Sequence, residues 1–376
     1  MIYLDSAATS LQKPQEVAQA MLWAIRCCAS PGRGSHRPAE LAARTAFQCR
    51  QLLADWFDCA GPEQVIFTSS ATHSLNLAIR SLVPPGGRVV ISGYEHNAVT
   101  RTLSGIPGVA ITVARDGLFE PERDLEAFAR AVETRPNAAV CTHVSNVFGY
   151  RLPVEEIAEL CREAQIPLIV DASQSAGVLP IQVEHWGAAY VAFPGHKGLM
   201  GPQGIGVLLC GRDSMPEPLL AGGTGSESLL QTMPAFLPDR LEAGTHNLPG
   251  IAGLLAGARF LRRVGTERVC AHERRLASQL VRRLRQIPGV EVLYPEDIGR
   301  GTGVVSFRLR GVDCETATAR LGERGIALRG GLHCAPLAHE TAGTLDTGTI
   351  RASVSLFNRP EELACLAAAV RTLREK

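Results

Sequence analysis

Through its first half the chain alternates short apolar runs with longer amphipathic stretches. Val65-Ile66-Phe67-Thr68, Arg88-Val89-Val90-Ile91, Ala138-Ala139-Val140-Cys141, Pro167-Leu168-Ile169-Val170-Asp171 and Ala189-Tyr190-Val191-Ala192-Phe193 are apolar at successive positions, as strands covered on both faces must be. Between them, residues 72–82, 122–133 and 154–165 carry apolar residues at helical spacing, as Ile157, Leu160 and Cys161 do. Strand and helix in alternation predict an α/β fold with a mainly parallel, doubly wound sheet. The run Ile205-Gly206-Val207-Leu208-Leu209 is expected to return along the sheet as an antiparallel edge strand.

Beyond about residue 245 the texture changes. Two Arg-rich amphipathic helices, 249–264 and 266–286, lead into strands near 290–294 and 303–309, a helix near 313–323 and a last helix from about 361. This pattern predicts a smaller C-terminal α+β domain. The expected division is a large domain over 15–245 and a small domain made of 1–14 with 246–376. Pro14 suits the first turn of a helix, and 222–228 and 340–349 read as mobile loops.

With 376 residues, 45% hydrophobic and 20% charged, the chain is neither disordered nor fibrous. Lys and Arg number 38 against 37 Asp and Glu, which leaves no basic footprint for nucleic acid or a membrane surface. No apolar run reaches the ~18 residues of a membrane span. The eleven cysteines are irregularly spaced, with no CxxC and no Cys/His zinc pattern. They predict free thiols, no metal and a cytoplasmic location. Cys49, Cys141, Cys161 and Cys210 sit in apolar surroundings as small core residues, and the vicinal Cys27 and Cys28 are a candidate redox pair.

Only three of the 38 basic residues are lysines: Lys13, Lys197 and Lys376. A lysine can become a neutral amine nucleophile where an arginine cannot, so the interior Lys197 is the first candidate for chemistry. Open parallel sheets bind ligands beyond the carboxyl ends of their strands. At those ends stand Ser69-Ser70-Ala71-Thr72 opening a helix, Glu95-His96, Ser145-Asn146, Asp171-Ala172-Ser173-Gln174 and His196-Lys197. They offer a phosphate cradle, an imidazole, an amide, a carboxylate and an amine. No Walker A and no GxGxxG motif competes for a nucleotide. Pyridoxal phosphate requires this set: an amine for its aldehyde, Lys197, and a carboxylate for its ring nitrogen, Asp171. His96 would stack on the ring, Asn146 and Gln174 would bond the ring hydroxyl, and Thr72 with Ala71 would hold the phosphate.

The same residues carry a resemblance. Tyr3-Leu4-Asp5-Ser6-Ala7-Ala8, Phe67-Thr68-Ser69-Ser70-Ala71-Thr72, Glu95-His96, His143-Val144-Ser145-Asn146, Asp171-Ala172-Ser173-Gln174, Gly195-His196-Lys197, Glu242-Ala243-Gly244-Thr245 and Arg351-Ala352-Ser353 resemble class V aminotransferase-fold enzymes, and among them cysteine desulfurases. Arg329-Gly330-Gly331-Leu332-His333-Cys334 is similar to the RxGxHC segment of group II (SUF-system) desulfurases and selenocysteine lyases. The resemblance implies fold type I of the pyridoxal-phosphate enzymes, a homodimer with shared active sites, and sulfur removal from L-cysteine to give L-alanine. It implies a persulfide on Cys334, handed to an acceptor protein, with His333 or His96 as proton partner of the thiol. It also implies that Arg351 grips the substrate carboxylate with Asn146 and His36 beside it, that His196 contacts the phosphate, and that Thr245 reaches the phosphate of the neighbouring protomer. Selenocysteine lyase, another C–S lyase and an aminotransferase are the alternatives on the same fold. Two positions depart from the family: Pro194 stands where a phosphate-binding Ser is usual, and Ser70-Ala71-Thr72 replaces Gly-Thr-Thr.

Overall fold

The computed structural model describes residues 1–31 and 34–373, so Lys376 lies outside the described residues. Strand β1 (Ile2–Tyr3) opens the chain, followed by helices α1 (Gln15–Cys27) and α2 (Arg37–Trp56). Pro14 occupies the cap position just before α1. A central sheet follows from β2 (Val65–Thr68), β3 (Arg88–Ser92), β4 (Ala110–Ala114), β5 (Ala138–Thr142), β6 (Leu168–Asp171), β7 (Tyr190–Pro194) and β8 (Gly206–Cys210). Its connections carry α3 (Ala71–Leu82), α4 (Asn97–Ser104), α5 (Pro121–Val132), α6 (Val154–Ala164) and the short α7 (Val183–Trp186).

The strand order is β2-β8-β7-β6-β5-β3-β4. Five strands pair in parallel, and β8 runs antiparallel to both β7 and β2. The antiparallel direction expected for this run is observed, but its expected place at the edge is not. All five residues of β8 are buried, because β2 lies outside it and the sheet is covered on both faces. The opposite edge is β4, which the apolar pattern does not reveal: its first three residues are exposed, so its outer positions carry no hydrophobic signature. Val90, Cys141, Val170 and Val191 feed one core, while Val89, Val140, Ile169 and Leu208 feed another on the opposite face. A strand buried on both faces has no polar side, which explains the unbroken apolar runs.

The remainder comprises α8 (Leu248–Val264), α9 (Thr266–Arg285), β9 (Val290–Leu293), β10 (Val304–Leu309), α10 (Cys314–Glu323), β11 (Ile326–Ala327), β12 (Arg329–Gly331), α11 (Pro336–Thr341), β13 (Thr349–Ser353) and α12 (Pro360–Leu373). Strands β12-β13-β10-β9 form an antiparallel sheet, and β1 pairs in parallel with β11. Leu276, Leu280 and Leu284 of α9 pack with Phe307, Leu363, Leu366 and the N-terminal Leu4 in a separate core. Ile251, Leu254, Ala258 and Leu261 of α8 instead pack on the central sheet's core. The chain passes from one core to the other at Gly265, whose φ of 90° suits a residue without Cβ.

Segment 222–228 has no regular structure. Segment 340–349, by contrast, is well tied. His339 of α11 meets Thr344 Oγ1 through its Nδ1 at 2.7 Å, and Thr341 Oγ1 donates to the Gly93 carbonyl at 2.7 Å. All eleven cysteines are free thiols, with Cys49, Cys141, Cys161 and Cys210 buried. Among the described residues no helix is long and apolar enough to cross a membrane.

Candidate active site

The carboxyl ends of β5, β6 and β7 and the starts of α3 and α4 converge on one cavity of about 120 Å³. Ala71, Thr72, His96, Asn146, Asp171, Gln174, His196 and Lys197 all line it, as do Ser173 and Pro194. Each is delivered by local chemistry. Ser70 caps α3, its Oγ accepting from the His73 N–H at 3.2 Å, so the first N–H groups of that helix stay available to an anion. His96 caps α4 with its ring: Nδ1 accepts from the Ala98 N–H at 3.0 Å, which places the ring proton of the neutral form on Nε2. Asp171 Oδ1 accepts from the Ser173 N–H at 2.9 Å, leaving Oδ2 for the cavity.

Lys197 follows β7 on a loop held by the N-terminal segment. The Ser10 N–H and Ser10 Oγ donate to the His196 carbonyl at 3.1 and 2.9 Å, and Thr9 Oγ1 lies 3.0 Å from His196 Nδ1. Burial lowers the Lys197 amine to about 8; Asp171 opposes that shift, and Arg351 and Arg329 reinforce it. Burial also depresses the imidazole of His96, against the pull of Asp171, and brings His196 down to about 4. Both rings are therefore neutral near pH 7. Beneath them, burial raises Glu95 to about 8, although Ser92 Oγ and the Thr142 N–H donate to its Oε1.

The second sheet supplies the other wall. The β12–β13 register sets Arg329 opposite Arg351. Arg351 is buried, its Nη1 donating to the Asn146 carbonyl at 2.9 Å and its Nη2 to Asp5 Oδ1 at 2.8 Å, while Nε finds no partner among the described residues. Past β12, His333 and Cys334 take φ of 51° and 57°, a left-handed turn uncommon for such residues. The turn is docked on the cavity rim: the Cys334 carbonyl accepts from the Asn97 N–H at 2.7 Å, and the His333 carbonyl from Asn146 Nδ2 at 2.8 Å. Cys334 itself is exposed, with Arg329 Nη2 3.8 Å from its Sγ.

His333, expected as a proton partner for this thiol, is otherwise engaged. Its Nε2 lies 3.1 Å from both Thr349 O and Thr349 Oγ1 in the interior, and burial holds the ring well below its ordinary titration range. The charged neighbour of Cys334 is Arg329. Thr245 and His36 are exposed and do not line this cavity. Thr245 sits in a loop anchored by the buried Glu242, which accepts from the Phe67 N–H at 2.6 Å, pairs with Arg50 and lies 2.8 Å from His246 Nε2.

Sequence reasoning gives no role to Asp5, Glu95 or Lys13, which bond to residues behind the cavity's lining. Lys13 Nζ donates to Ser10 Oγ at 2.8 Å, and burial lowers its amine to about 8. Glu95 is placed at a strand end beside His96 by the sequence, but nothing there shows that its carboxyl is buried. Nothing local marks Asp5 as the partner of Arg351, 346 positions away.

The family model for aminotransferase class-V matches residues 2–366. The chain belongs to that family. A probable cysteine desulfurase from Pyrococcus abyssi is 32% identical over 377 residues, covering 96% of this chain and 92% of that protein. A cysteine desulfurase from Haloferax volcanii is 32% identical over 391 residues, covering 100% and 90%. The solved apo structure of a cysteine desulfurase from Thermococcus onnurineus superposes with a TM-score of 0.90 at 31% identity, covering 100% of this chain and 94% of that one. The class-V fold type expected from the sequence is thus the fold observed: a seven-stranded mixed sheet with a smaller antiparallel sheet beside it.

Proposed function

We propose that this chain is a pyridoxal-phosphate-dependent cysteine desulfurase that removes sulfur from L-cysteine, releases L-alanine and holds the sulfur as a persulfide on Cys334. The observation that carries the reading is the juxtaposition of a buried amine, Lys197, with the free oxygen of Asp171, in a cavity whose rim bears the exposed thiol of Cys334. Relatives bearing the name cysteine desulfurase support it.

The donor set fits the cofactor. Ala71 and Thr72 at the start of α3, with His196, would hold its phosphate; Asp171 would face its ring nitrogen; His96 would stack on the ring; Asn146 and Gln174 would face the ring hydroxyl; Lys197 would bond its aldehyde. Pro194 removes one hydroxyl from the phosphate end, and Ser173, which lines the same cavity, is a replacement within reach. When bound, pyridoxal phosphate supplies an electrophilic carbon for amines and a ring that withdraws electrons from the substrate Cα.

The protein's own groups do the rest. The Lys197 amine, brought to about 8 by burial, takes up and returns the Cα proton near neutral pH. Arg351 orients the substrate carboxylate, its guanidinium fixed by Asp5 and the Asn146 carbonyl. Arg329 stands beside the Cys334 sulfur, its Nη2 3.8 Å from Sγ. Cys334 Sγ then bonds the substrate sulfur as its bond to Cβ breaks. The persulfide stays on the protein, and the three-carbon remainder leaves as alanine with the proton returned.

A homodimer completes the reading. Leu219, Leu220, Leu229, Leu230 and Phe236 are exposed on the stretch that leads to Thr245, and Leu229 is 96% exposed. An apolar surface of this kind suits burial against a second copy, which would bring Thr245 to the partner's phosphate end. His36, exposed at the cap of α2, would reach substrate by the same route. The persulfide would pass to an acceptor protein in the cytoplasm. Incubating the purified protein with pyridoxal phosphate and L-cysteine should yield alanine and a sulfur adduct on the Cys334 peptide by mass spectrometry. Selenocysteine as the only productive substrate would favour a lyase, and an amino-acid product with no adduct would reject the persulfide.

A further inference from the structure

On the other side of Lys197, between the two cores, lies a second, small cavity of about 40 Å³. Its wall includes Glu273 of α9, only 7% exposed, and no hydrogen-bond donor or cation among the described residues pairs with that carboxyl. A buried carboxylate without a counterion is strongly disfavoured by its lost solvation. The other polar groups of the wall deepen the imbalance. Ser10 Oγ donates to the His196 carbonyl, Thr302 Oγ1 to the Gly149 carbonyl, Ser355 Oγ to Asn358 Oδ1, and Gln174 Nε2 to the Ala7 carbonyl. Thr302 and Ser355 thus direct their hydrogens elsewhere and leave oxygen for the cavity, whereas Ser10 Oγ already accepts from Lys13 Nζ at 2.8 Å. The result is a polar space with one unpaired carboxyl, and with the Lys197 amine on the same wall.

We propose that this cavity binds one small monovalent cation, of potassium or ammonium size, against Glu273. One carboxylate and several neutral oxygens match a single positive charge, whereas a divalent ion wants more carboxylates, and the absence of His and Cys from the described cavity wall disfavours transition metals. The ion would bridge α9 of one core to the segment around Ser10 and Gln174 that supports the Lys197 loop, and so fix the joint between the cores. Without it, burial raises Glu273 to about 8, so near neutral pH the carboxyl keeps its proton and the cation must displace it. The other charged groups nearby are otherwise occupied. Arg274 bonds the Gly301 and Gly299 carbonyls, His272 the Asn358 carbonyl, Lys13 the Ser10 hydroxyl, and Arg351 Asp5. Among the described residues Lys197 is the one further charged group on the cavity wall.

The test is thermal unfolding of the purified protein at pH 8 in potassium, ammonium, sodium and tetramethylammonium chloride at equal ionic strength. Potassium or ammonium should raise Tm by a few degrees, saturably, and tetramethylammonium, too large for the cavity, should not. Sodium acting as well as potassium would assign the site to any small monocation and support it. The same Tm in all four salts overturns the proposal, as does a potassium effect undiminished in Glu273→Gln. Should that variant fail to fold, the wild type still decides. Potassium added to lightly buffered protein at pH 7 should release protons, and its half-saturation concentration should rise about tenfold per pH unit below pH 8. No proton release and a pH-independent half-saturation overturn it. The readout does not depend on desulfurase activity, so the site stands or falls apart from the proposed function.

Discussion

Lys197 lines the cavity and Cys334 stands at its rim, in opposite kinds of surroundings. The lysine sits on a loop fixed by Ser10, Thr9 and the sheet beneath, and its amine is shifted by burial. The cysteine stands exposed on a left-handed turn whose backbone is docked at Asn97 and Asn146, and its sulfur has the Arg329 guanidinium 3.8 Å away. The difference teaches a division of labour. Moving a proton from carbon needs a dry, fixed base whose affinity the protein sets. Handing sulfur to another protein needs a thiol that projects outward from an anchored backbone.

Substitutions should separate the two sides. Lys197→Ala removes both the covalent amine and the proton carrier, and turnover of L-cysteine should fall by roughly 10⁴-fold or more, with loss of any visible cofactor band. A variant that kept its turnover would make the amine incidental. Glu242→Ala strands Arg50 in the interior and should cost about 3–5 kcal/mol in urea unfolding. Its effect should fall on the buried framework without changing the accessibility of Cys334 to a thiol reagent. Cys334→Ser should lower sulfur release on the order of 100-fold while cofactor absorbance persists, since nothing on the buried side depends on the thiol. Asp5→Asn frees one side of the Arg351 guanidinium, and KM for L-cysteine should change by about tenfold with kcat moving less. An unchanged KM would detach Arg351 from the substrate.

One further effect, that of Glu95→Gln, depends on pH. In the folded protein Glu95 holds its proton to about 8, above the 4.5 of an ordinary carboxyl. Across pH 4.5 to 8 the unfolded chain sheds a proton the folded chain keeps, so this group's contribution to stability declines as pH rises through that window. The glutamine variant lacks the decline. Wild type should lose ground to it between those limits and hold a constant difference above them, as measured by urea midpoints.

Much of this arrangement is legible in the sequence for a physical reason. Strands covered on both faces have no polar side, so β2, β3, β5, β6 and β7 announce themselves, and the residues just beyond them fall into the cavity. The lack of other interior lysines singles out Lys197. What escapes is whatever depends on neighbours distant in the chain. The interior place of β8 follows from β2 closing the sheet outside it, and β4 is hidden because it is an exposed edge. His333 and Cys334 are adjacent in sequence, yet one points inward to Thr349 and the other outward, which spacing alone cannot tell. The buried carboxyl of Glu273 reads in sequence as one more acid on an Arg-rich helix.

Pairing of β1 with β11, and of Asp5 with Arg351, has a temporal consequence. Asp5 must wait for a partner 346 positions later in the chain, because long-range pairings of this kind form only after the whole intervening segment is made. The central sheet can form with Lys197 in place while Arg351 is still untranslated. Nascent chains that stop short of these residues would therefore hold the buried amine of Lys197 without the exposed thiol of Cys334 and the guanidinium of Arg351 that stand near it in the finished fold.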